Sequence, residues 1–155
     1  MRTCKIVLAC VFVLLGVSQY AVGANLKIQL LDSRSGRPLG RKKVCVVFNR
    51  NPALAQPDVP EVCNRTDAKG GVTVALPDDP SLEWTHVRVM TNDFVPCFAI
   101  PHAFSTAEVT KAGAVATNTC GPANIGLTTQ PSTIILYGHQ MNFWEVLKSM
   151  QKELP

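Results

Sequence analysis

Aromatic side chains are scarce in this 155-residue chain, at 6% of the total. Tyr137 is the one tyrosine outside the N-terminal 24 residues. After those residues no apolar run approaches the ~20 residues that a membrane helix needs. There is no CxxC or CxxH pair to start a zinc site. There is also no G-x-S-x-G elbow to present a nucleophilic serine. Charge of either sign is weak. The formal +4 includes Arg2 and Lys5, and without them 13 basic face 11 acidic side chains, about +2. That balance gives no case for nucleic acid as a partner. Internal repeats and low-complexity tracts are missing as well.

What is present begins with a leader. Arg2 and Lys5 precede an apolar run from Ile6 to Val17, and Ala21-Val22-Gly23 offers small residues for a signal peptidase. The reading is a secretory signal over residues 1–24, with cleavage after Gly23 or Ala24. Val7-Leu8-Ala9-Cys10 resembles a lipobox only superficially, because the apolar core runs on past Cys10. The remaining 131 residues suit one domain with one core. A periplasmic or extracellular protein that is not integral to a membrane is expected, and no cofactor is implied.

Cleavage leaves four cysteines: Cys45, Cys63, Cys97 and Cys120. An even number in an exported chain points to disulfides, with three possible connectivities. Cys45–Cys63 with Cys97–Cys120 is favoured, because each pair closes a loop of moderate length without crossing the other.

Period-two alternation marks the strands. Leu26–Leu31, Val44–Phe48 and Val72–Leu76 are separated by the turns Asp32–Pro38 and Thr66–Gly71. Trp84–Met90 alternates again, Phe94–Pro101 reads as an edge strand between prolines, and Ser132–Tyr137 is the last strand. Asn51–Glu61 holds three prolines and is a loop. Ser105 and Glu108 stand at capping-box spacing before a short helical turn. The expected fold is all-β, a seven- to eight-stranded Greek-key β-sandwich over residues 25–140. From Met141 the period changes to that of a helix, with Phe143, Leu147, Met150 and Leu154 on one stripe. Asn142 is placed as N-cap and Glu145 as N3, giving a C-terminal amphipathic helix over 141–155. Its apolar face needs a surface: its own sandwich, a partner or a membrane interface.

Two stretches are candidate binding patches. Five of the ten residues from Arg34 to Lys43 are basic, among them Arg37, Arg41 and Lys42. They read either as a small anion site or as a solvated turn that keeps an edge strand soluble. On the Trp84 strand, Val87 and Val89 are assigned to the core. That leaves Trp84, His86 and Arg88 exposed together, as a ligand-facing trio or a plain surface strand. Asn64-Arg65-Thr66 is a glycosylation sequon, relevant in a eukaryotic host.

The segments Asp32-Ser33-Arg34-Ser35-Gly36-Arg37-Pro38-Leu39, Val44-Cys45-Val46-Val47 and Thr66-Asp67-Ala68-Lys69-Gly70-Gly71-Val72 together resemble the carboxypeptidase regulatory-like domain. That family pairs an "SG-P-L" turn with a "TDA-G" turn within the prealbumin-like (transthyretin-like) β-sandwiches. The resemblance covers residues 26–76 and implies a fold rather than an activity. Two enzyme families share the architecture. A 5-hydroxyisourate hydrolase carries a histidine where this chain has Gln29, and a Tyr-Arg-Gly-Ser ending where this chain has Tyr137-Gly138-His139-Gln140. An intradiol dioxygenase holds iron with two tyrosines and two histidines, which Tyr137 alone does not supply. The expected function is therefore a non-catalytic interaction or accessory module, with an unidentified protein or a glycan as partner. A carbohydrate-binding module is the alternative. A small hydrolase would need His86, His102 or His139 to converge with an acid such as Asp93 or Glu108.

Overall fold

The computed structural model describes residues 24–53, 58–90, 94–99, 103–121 and 127–142, with positions 144, 145 and 147 of the tail. Residues 1–23 of the expected leader lie outside the described residues, as do His102, Asp93 and most of the expected C-terminal helix.

Alternating apolar residues bounded by turns produce two sheets. β1 (Asn25–Asp32) and β4 (Gly71–Ala75) run antiparallel. β9 (Thr133–Gln140) lies parallel to β1 on its other side, so that Ile28 faces Ile134 and Leu30 faces Leu136. β6 (Phe94–Pro96) and the two-residue β8 (Ala114–Val115) both pair with the far side of β9, at different ends. The second sheet has the order β3-β2-β5-β7. Its strands are β2 (Lys43–Asn49), β3 (Val62–Arg65), β5 (Trp84–Val89) and β7 (Ala103–Ser105), all antiparallel. This is the expected all-β sandwich, with nine described strands rather than seven or eight. The strands that alternation did not mark are β3, β7 and β8, which are too short to show a period of their own.

Between the sheets lie Leu26, Ile28 and Leu30 of β1, Val44, Val46 and Phe48 of β2, and Ile134 and Leu136 of β9. β9 is buried on both faces. Its other face, with Ile135 and Tyr137, forms a second cluster with Leu31 and Cys97. The chain after β8 covers that cluster. Thr119 N–H donates to Cys97 O, Asn118 Nδ2 donates to Ser33 O, and the Cys97–Cys120 disulfide staples the cover in place. Both favoured disulfides are formed.

The two motif turns pack against each other, which explains their residues. The Thr66 hydroxyl accepts from Lys42 N–H and donates to Leu39 O, both at 3.0 Å. Asp32 Oδ1 accepts from the Ser35 N–H and hydroxyl, and Asp67 Oδ1 accepts from the N–H groups of Lys69 and Gly71. These are side-chain turns of the kind that favour aspartate. Gly70 has φ +73°, and a Cβ there would sit 2.5 Å from Leu30 O. Only glycine fits that position. Burial alone would raise the Asp32 carboxyl, but the Ser35 and Arg34 hydrogen bonds and the His139 charge outweigh it and hold it below the usual range.

α1 (Thr106–Ala112) begins where the capping residues placed it, with Ser105 Oγ accepting from Glu108 N–H, and it buries Val109. At the tail, Asn142 Oδ1 accepts from Glu145 N–H while Glu145 Oε2 accepts from Asn142 N–H. That reciprocal pair is a capping box. Of the expected apolar stripe only Leu147 falls among the described positions, and Trp144 beside it is 70% exposed.

Candidate interaction surface

Strand parity decides what the four-stranded sheet shows to the outside. In β2 the even positions Val44, Val46 and Phe48 face the core, so Lys43, Cys45, Val47 and Asn49 face outward. The antiparallel register then sets Lys43 opposite Arg65, Cys45 opposite both Cys63 and Arg88, Val47 opposite His86 and Asn49 opposite Trp84. Cys45 and Cys63 are thus direct cross-strand neighbours, with Cα atoms 4.0 Å apart.

This register gathers cations at one corner. Lys43, Arg65 and Arg88 are exposed and share neighbouring rows of one face. Arg65 Nη1 donates to the backbone oxygen of Arg41 at 3.1 Å, which holds the Arg65 guanidinium against the turn before β2. Arg88 is paired: its Nη2 and Nε reach the same Glu61 oxygen at 2.6 and 3.1 Å. The pair is open to solvent, where such bridges contribute about 0–1 kcal/mol. It positions the guanidinium rather than stabilising the fold.

The other candidates fall differently. Trp84 shares the outer face with Arg88 but is half-buried and four residues away, roughly 13 Å along the strand. His86 lies between them and corrects the expectation of exposure, since it is only 1% exposed. The reason is the chain after β2, which folds back over this face. Asp58 N–H donates to Asn49 Oδ1, Arg50 N–H donates to Asp58 Oδ2, and Glu61 reaches Arg88. Neither ring nitrogen of His86 has a hydrogen-bond partner among the described residues. Burial pushes its pKa down, the nearby Asn51 backbone opposes that, and the Arg88 charge adds to it. Lys42 is a second correction. It falls on the core-facing parity of β2 beside the Thr66 turn and is 5% exposed, so it does not belong to an open anion site. Arg37 is exposed in the turn after β1, where its backbone oxygen accepts from Asp32 N–H.

His139 Nε2 lies 3.1 Å from Glu145 Oε2, within the tail's capping box. Asn142 N–H, then the His139 side chain, hold the Glu145 carboxyl below its ordinary value. Glu61 lies close to the sulfurs of Cys45 and Cys63, but those sulfurs are bonded to each other and are not thiolate ligands.

Sequence reasoning missed Arg65 and Glu61 as members of the surface. Their only signal was Cys63: if it pairs with Cys45, a strand beside β2 is required, and its neighbours come with it.

No family model matches the chain, and no curated protein does. Among solved structures, a mutant of the shaft pilin spaA from Lactobacillus rhamnosus GG aligns with 76% of this chain at 13% identity and a TM-score of 0.41. The alignment takes in 48% of the pilin chain, so this protein matches about half of its length. A likeness of that size carries no argument, and the sandwich rests on its own strand register.

Proposed function

We propose that the protein is a secreted, non-catalytic interaction module of the carboxypeptidase regulatory-like type, which binds an acidic protein partner at the Lys43, Arg65 and Arg88 corner. The observation that carries this reading is the register that sets these three exposed cations in neighbouring rows at one corner of the sheet, next to the Arg41 backbone. Arginine at such a surface supplies planar, multi-donor contacts to carboxylates. The chemistry of the described side chains supports a binding role. All four cysteines outside the leader are locked in disulfides, His86 is buried, and His139 is spent on the tail's capping box. Two disulfides fit an oxidising compartment.

The test is affinity capture of the mature protein from its native exported fraction, repeated with an R65E/R88E variant. One protein retained by the wild type, released by salt and not retained by the variant is the expected result. Equal retention by both forms contradicts the proposal. Half-exposed Trp84 favours a carbohydrate-binding module as the second reading. Retention on a sugar polymer, lost on Trp84→Ala and indifferent to R65E/R88E, selects that reading instead.

A further inference from the structure

An open cavity of about 700 Å³ sits between α1 and the loop joining β4 to β5. That is within the range of small-ligand sites. Its apolar surface comes from Ala24, Leu76, Pro77, Pro80, Leu82 and Ala107. Most of its polar groups are already engaged. Ser105 Oγ caps α1, Thr106 and Thr85 share a hydrogen bond at 2.9 Å, and Thr110 Oγ1 donates to Thr106 O. Asp79 accepts from the Ser81 N–H and hydroxyl and pairs with Arg50. Two charges are left. Glu83 and Lys111 are both exposed, and neither side chain has a partner among the described residues.

Their spacing follows from the backbone. Glu83 O accepts from Thr106 N–H at 2.7 Å, which fixes Glu83 beside the first residue of α1. Lys111 is five residues further along that helix, about 7.5 Å at 1.5 Å per residue. An anion and a cation thus flank an apolar wall, separated by roughly the length of two or three extended residues.

We propose that this cavity binds a short apolar peptide with both ends free, its ammonium on Glu83 and its carboxylate on Lys111. A fully apolar ligand would leave both charges unused, and a singly charged one would use half of the site.

The experiment is calorimetric titration of the full mature protein with a leucine tripeptide, alongside its N-acetylated and C-amidated forms. Binding by the free peptide, weakened tenfold or more by either block, is expected. In Glu83→Gln acetylation should no longer matter, and in Lys111→Met amidation should no longer matter. R65E/R88E should bind the peptide as the wild type does, so this result and the partner-capture result stand or fall separately. No heat of binding at millimolar peptide overturns the proposal. So does equal binding of blocked and free peptides, or loss of binding in R65E/R88E.

Discussion

His86 carries two ring nitrogens into a face that alternation alone assigns to solvent. Alternation gave its parity correctly: it points away from Val87 and the inter-sheet core. What alternation does not contain is the return of the chain over that face, because the covering loop has no period and is held by side-chain contacts such as Asn49 to Asp58. The consequence is a buried imidazole favoured as the neutral base. The unfolded chain takes up a proton near the ordinary histidine value of about 6.5, while the folded state resists it until a lower pH. Stability from this group is therefore present above the unfolded value and is lost as pH falls toward the depressed folded one. His86→Leu removes two buried ring nitrogens that have no hydrogen-bond partner of good geometry among the described residues, and should leave stability at pH 7 unchanged or raised. It should also flatten the loss of denaturation midpoint between pH 7 and 5. A variant that keeps the wild-type slope there would contradict this assignment.

Helix starts were legible at the level of elements, because capping is written in adjacent residues. Ser105 with Glu108 and Asn142 with Glu145 both cap as their spacing indicates. The short strands were not. β3 reads Val-Cys-Asn-Arg and β7 reads Ala-Phe-Ser, and each exists through its neighbour, β2 and β5 respectively. Strands of three or four residues carry too few alternations to show a face, and long-range pairing decides them. Glu145 of the tail's capping box reaches His139 of β9, so the cap is also a tether. Asn142→Ala should cost about 1 kcal/mol, the usual worth of such a cap. The loss should appear as faster amide exchange in the first turn of the tail with the β9 amides unchanged. Uniformly faster exchange across β9 would mean that the helix start is part of the core instead.

For the whole molecule, the two turns of the first half and four cysteines held enough information for the class of fold. Asp32, Gly36, Thr66, Asp67 and Gly70 specify turns that dock on each other, and docking them brings β1, β2 and β4 into place. The cysteine pairs then close both layers. Cys45–Cys63 holds the edge strand β3, and Cys97–Cys120 holds the cover over Tyr137, each worth roughly 3 kcal/mol in the chain-entropy model. The candidate surface was less legible than the fold. Its cations come from three strands, and their meeting depends on register, which a linear reading does not supply. Trp84, His86 and Arg88 share a face as alternation required, but one is half-buried, one is sealed and one stands open beside Lys43 and Arg65. Hydrogen exchange of the mature protein, alone and with its captured partner, tests the interaction reading most directly. Protection should concentrate on β3 from Val62 to Arg65 and on the Arg88 end of β5. Protection confined to the five-stranded sheet, with β3 unchanged, would contradict it.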